Sequence, residues 1–118
     1  MREFIESLPR STQNFITVFL LLFVAFLHFT NLPSAEIKPI FGIDKIAHLV
    51  IFFTISSWSC LVFSGNRIRQ FAIFLILYGL FLELTQMTLI TDRYFEWMDW
   101  FFDVLGILLG LFTFTKRL

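Results

Sequence analysis

The sequence predicts an all-α membrane protein, an antiparallel bundle of four transmembrane helices joined by short loops and forming a single domain over residues 1–118. Three observations carry this. The composition is too apolar for a soluble globule, the apolar residues fall into four runs of bilayer-spanning length, and the segments between the runs are short.

Of the residues, 58% are hydrophobic, 15% are charged and 18 are Phe. A soluble domain is about 45–50% apolar and about 25% charged, and one this small leaves much of its surface in contact with solvent. A bilayer removes the conflict. The net charge is zero and there is no polybasic tract, so nothing suggests a nucleic-acid partner. The single Cys60 cannot form an intramolecular disulfide and reads as a small packing residue in an apolar run.

A membrane-spanning helix needs about 20 mainly apolar residues. The first run, 14–30, has the core NFITVFLLLFVAFLHF and is the shortest. Arg2 and Arg10 ahead of it raise the alternative of a cleaved signal peptide. The following HFTNLPSAEIK lacks a good small-x-small cleavage pair, and four retained helices is the reading adopted. The second run is 46–65, the third 70–90, and the fourth 97–115, provided that its two aspartates are tolerated. The links TNLPSAEIKPIFGIDK, GNRIRQ and TDRYFE make consecutive helices antiparallel neighbours.

Cytoplasmic loops carry an excess of Lys and Arg. With a cytoplasmic N-terminus, Arg2, Arg10, Arg67, Arg69, Lys116 and Arg117 lie inside, and Lys38, Lys45 and Arg93 outside. Both termini are then cytoplasmic. This orientation gathers the ionisable residues of the spans into one outer layer: Asp44, Lys45 and His48 at the start of the second helix, Glu83 and Gln86 late in the third, and Arg93, Glu96, Asp99 and Asp103 at the start of the fourth.

Spacing puts these residues on shared faces. Asp99, Asp103, Gly106 and Gly110 follow one another at helical steps, with Glu96 a turn above. Glu83 pairs with Gln86, and Asp44 with His48. A polar side chain facing lipid has no partner, so these faces turn inward. Gly106 and Gly110 allow a neighbouring helix to approach closely below the acidic residues.

Each residue also has a plainer reading. Asp44 can cap its helix while Lys45 snorkels to the headgroups. His48 can be a hydrogen-bonded core histidine, Arg93 an ordinary surface residue, and Asp99 an interfacial carboxylate favoured by the helix dipole. Glu83 is harder to dismiss, because burying a carboxylate between Leu82 and Leu84 costs several kcal/mol unless it is paired or protonated. Trp58, Tyr94, Trp97 and Trp100 read as packing or interfacial-belt residues.

DKIAH (44–48), ELTQ (83–86) and RYFEWMDWFFDVLGILLG (93–110) resemble the signature of the VanZ-like family of small bacterial membrane proteins. The resemblance covers approximately residues 40–112, three of the four helices. One departure is Asp103, where the family usually has Asn. The resemblance implies the bacterial cytoplasmic membrane and, from the family's namesake, lowered sensitivity to the glycopeptide teicoplanin without remodelling of the peptidoglycan terminus. It leaves any reaction open.

Several functions fit an outward-facing polar pocket. A binder of an envelope lipid or lipid-linked cell-wall precursor would use Lys45, His48 and Arg93 on an anionic headgroup, with the carboxylates positioning the cations or holding sugar hydroxyls. An intramembrane enzyme would use His48, Glu83 and Asp99 as catalytic candidates, by acid–base chemistry or through a divalent metal, although no compact metal motif such as H-E-x-x-H is present. A purely structural bundle is the bland alternative. Transport ranks last, since polar groups on one side only give no path through.

Overall fold

The computed structural model describes residues 2–29, 43–89 and 97–115. They form α1 (Arg2–Glu6), α2 (Arg10–Phe29), α3 (Ile43–Val62), α4 (Asn66–Leu89) and α5 (Trp97–Thr115). Helices α2 to α5 are each long and apolar enough to cross a membrane. No strand occurs among the described residues.

Three of the spanning helices begin about one turn ahead of the apolar runs. Polar residues at a helix start do not break it, and hydropathy alone cannot see them. At α2 the extra turn is tied to α1, whose single turn is too short to leave a periodic signal. The Gln13 amide donates to the Ile5 carbonyl at 3.0 Å and the Leu8 carbonyl at 3.3 Å. Between α3 and α4 the chain reverses at Gly65, whose φ of 60° lies in the left-handed region that a side chain disfavours.

Contacts across the bundle fix the direction of every helix. The Trp58 indole N–H donates to Thr17 Oγ1, while His48 lies against His28, so α2 and α3 are antiparallel. Lys45 meets Asp99, His48 meets Asp103, and Ser56 Oγ donates to the Ile107 carbonyl, so α3 and α5 run parallel. Tyr78 Oη donates to the Leu21 carbonyl and the Gln86 amide to the His28 carbonyl, so α2 and α4 also run parallel. Consecutive helices therefore alternate in direction.

The most extensive packing joins α3 and α5, which are not consecutive. Glycines explain it. A Cβ at Gly106 would run into the Leu49 carbonyl oxygen and come within 3.0 Å of the Phe53 nitrogen. One at Gly110 would lie 2.7 Å from Ser56 Oγ and 3.1 Å from the Phe53 carbonyl oxygen. Without side chains at these positions the two backbones reach van der Waals contact, the main attraction available where lipid removes the hydrophobic drive between helices. Val24, Phe52, Ile55, Leu75, Leu82 and Ile107 fill the centre. Phe15, Leu22, Phe26, Leu77, Phe81 and Phe112 point outward and are more than half exposed, a surface suited to acyl chains.

Candidate functional site

All four spanning helices contribute ionisable groups to one level of the bundle. The last turn of α2 supplies His28, the first turns of α3 supply Lys45 and His48, α4 supplies Glu83, and α5 supplies Asp99 and Asp103. At a rise of about 1.5 Å per residue, Glu83 and Asp103 each lie about 9 Å inside their helix ends. Glu83, Asp99, Asp103 and His28 are buried, with relative exposures of 1%, 6%, 0% and 5%. The side chains of Lys45 and His48, 17% and 14% exposed, lead from this cluster to the surface.

Two charge-assisted contacts hold α3 to α5. Lys45 Nζ donates to Asp99 Oδ1 at 3.1 Å, and His48 Nδ1 lies 2.6 Å from Asp103 Oδ1. The spacing i, i+3 on α3 matches i, i+4 on α5, so parallel helices present both pairs in register. Glu83 enters from α4, with Oε2 3.5 Å from His28 Nε2 and 3.9 Å from His48 Nε2. His28 is held from behind, its Nδ1 2.9 Å from the Val24 carbonyl oxygen. The two imidazoles meet edge to face with centroids 4.7 Å apart, and Phe52 packs edge-on against His28. Gly79 makes room for Asp103, since a Cβ there would stand 3.0 Å from Asp103 Oδ2.

Of the residues singled out in the sequence, Lys45, His48, Glu83, Asp99 and Asp103 come together here. Gln86 lies beside them but turns to the backbone, donating to the His28 carbonyl. Gly106 and Gly110 continue the α5 stripe against α3, below the charges. Arg93 and Glu96 lie outside the described residues, as does the side chain of Asp44. Sequence reasoning passed over two contributors, His28 and Gly79. The only signal for His28 was an imidazole in the last turn of an otherwise apolar span, and for Gly79 a lone glycine four residues before Glu83.

Trp58 and Trp100 also do more than pack. Their indole N–H groups donate across helices, to Thr17 Oγ1 at 2.9 Å and to the Ile76 carbonyl at 3.1 Å.

Chemically, the site offers two imidazoles, three carboxylates and one ammonium in low-dielectric surroundings. Such a set can hold a proton between carboxylate and imidazole, accept a cation, or present Lys45 to an anion at its margin. The VanZ/LLP1 family model matches residues 3–117, nearly the whole chain. Searches of curated proteins and of solved structures give no match.

Proposed function

The chain belongs to the VanZ/LLP1 family, and from that premise we propose a multi-pass protein of the bacterial cytoplasmic membrane that binds the headgroup of an envelope lipid or lipid-linked cell-wall precursor. Both termini are cytoplasmic and the polar end of the bundle faces outward. By holding such a lipid the protein alters glycopeptide susceptibility of the teicoplanin type. The charge distribution supports the orientation, since Arg67 and Arg69 are exposed at the opposite end.

The observation that carries the binding reading is the Lys45–Asp99 pair. A carboxylate that is itself buried fixes an ammonium at the mouth of the cluster, where, in the proposed orientation, it would meet an outer-leaflet phosphate. Arg93, expected just beyond the start of α5, would add a planar fork suited to phosphate.

Gentle purification followed by native mass spectrometry tests the proposal. A discrete polyprenyl-phosphate or phospholipid species should accompany the wild type and fall at least tenfold in Lys45→Ala. A protein that carries no such species, or keeps it unchanged in Lys45→Ala, would overturn the reading.

One observation favours a second reading, an intramembrane enzyme acting on the same kind of substrate. His48 is flanked by carboxylates near both ring nitrogens, Asp103 at 2.6 Å and Glu83 at 3.9 Å, an arrangement able to orient a general base and stabilise the imidazolium that forms when it takes a proton. Product formation that disappears in Glu83→Gln while the lipid is still captured would replace the binder by the enzyme.

A further inference from the structure

We infer that His28, His48, Glu83 and Asp103 bind one divalent transition-metal ion, with zinc the best match to the donor set. One donor atom from each of these residues lies within 4.8 Å of the others, and each residue comes from a different spanning helix. The site goes beyond lipid binding and stands whether or not a headgroup is held at Lys45.

Proton positions make the centre a meeting of lone pairs. The Val24 carbonyl can only accept, so the hydrogen of a neutral His28 sits on Nδ1 and Nε2 turns its lone pair inward. With the hydrogen of His48 on Nδ1, toward Asp103 Oδ1, its Nε2 also offers a lone pair. Both face Glu83 Oε2, at 3.5 and 3.9 Å. His28 Nε2, Glu83 Oε2 and Asp103 Oδ2 are buried without any hydrogen-bond partner. Polar atoms left unsatisfied in this way are strongly disfavoured within a bilayer. A cation held by these residues would give the lone pairs on His28 Nε2 and Glu83 Oε2, 3.5 Å apart, a common partner, with a carboxylate oxygen of Asp103 within reach.

A shared proton fits the spacing poorly. It would draw nitrogen and oxygen to about 2.7–2.9 Å, and 3.5 Å with no hydrogen bond is not that geometry. Two ligands on a tetrahedral ion with bonds of about 2.0–2.1 Å stand about 3.4 Å apart.

The outer contacts match as well. Imidazoles that bind metal usually donate their second N–H to a carbonyl or a carboxylate, which fixes the ring. The Val24 carbonyl does this for His28 and Asp103 does it for His48. Two nitrogens with carboxylate oxygens suit zinc over magnesium or calcium, which take oxygen ligands. Charge points the same way. With Glu83, Asp99 and Asp103 all ionised against Lys45, a divalent cation would offset the two remaining negative charges of the described cluster. Because the ligands are scattered at positions 28, 48, 83 and 103, no compact motif marks the site in the sequence.

The full chain in lipid nanodiscs, stripped by a chelator and titrated with Zn²⁺ alone, tests this by metal stoichiometry. About one ion per chain should bind, and Co²⁺ in its place should give the visible absorption of a four-coordinate centre. Glu83→Gln and His28→Gln should fall to background, and Asp103→Asn should weaken binding by about 10–100-fold. A wild type that takes up no Zn²⁺ above background would overturn the site, and this result needs no variant to fold. So would Glu83→Gln and His28→Gln titrating like the wild type. Bound ion in a wild type that carries no lipid refutes the headgroup reading alone, and bound lipid without an ion refutes the cation site alone.

Discussion

The seam between α3 and α5 is one interface with two unlike halves. Its upper half joins the helices through Lys45–Asp99 and His48–Asp103. Its lower half joins them through Gly106 and Gly110, where backbone touches backbone and Ser56 donates to the Ile107 carbonyl. The lower half gains dispersion contact and carries no charge. The upper half buries charged groups whose desolvation offsets much of their attraction, and it leaves Asp103 Oδ2 without a partner, beside the equally unsatisfied His28 Nε2 and Glu83 Oε2 of the same cluster. Elsewhere among the described residues only Ser57 Oγ is buried without a partner. The contrast separates two tasks: the glycines hold α3 and α5 at a fixed distance, and that distance sets the spacing of the charges above them. A bundle built only for stability would have extended the glycine half upward.

The largest expected effect breaks the upper half. Asp103→Ala leaves the His48 N–H facing no acceptor, and stability in detergent should drop by about 3–5 kcal/mol. Replacing both partners, His48→Phe with Asp103→Ala, should recover most of that loss, because the unpaired group is gone. Equal losses in the single and double variants would show that the pair is not coupled.

A smaller effect is expected in the lower half. Gly106→Ala sets a methyl group against the Leu49 carbonyl oxygen, so α5 must shift away from α3 at a cost of about 1–3 kcal/mol. Thermal unfolding in micelles measures it, and the double variant above should not rescue it. A Gly106→Ala protein as stable as the wild type would mean that the seam is not close-packed, and the comparison between its halves would collapse.

Much of this arrangement was legible in the sequence, for identifiable reasons. The spans were visible because a bilayer dictates helix length. The meeting of Lys45, His48, Glu83, Asp99 and Asp103 was foreseeable because charge within a span must turn inward. The α3–α5 pairing was not, since short links specify only that consecutive helices are neighbours, and what brings α3 and α5 together is the absence of side chains at Gly106 and Gly110. His28 was hidden by its place in the last turn of α2, where an imidazole reads as an interfacial residue. Its role depends on Glu83, 55 positions away, and on the Val24 carbonyl, which no sequence pattern displays.

Gly79 allows the finest test of the division, because it touches Asp103 in the upper half without touching the glycines of the lower half. A methyl group there would lie 3.0 Å from Asp103 Oδ2 and 3.4 Å from Phe52 Cζ, close enough to displace the carboxylate by a few tenths of an ångström. Alanine in a helix interior is favoured over glycine by about 1 kcal/mol, and mild overpacking costs about the same at its lower end. Stability of Gly79→Ala should therefore stay within about 1 kcal/mol of the wild type. Zn²⁺ affinity should still fall, because Asp103 both orients His48 and supplies an oxygen to the centre, and changes to such supporting groups cost about 10–100-fold. A stable variant with weakened ion binding would place the function in the upper half and the architecture in the lower. A Gly79→Ala protein that lost stability and kept its Zn²⁺ affinity would reverse that assignment, making Asp103 a packing residue whose charge is incidental.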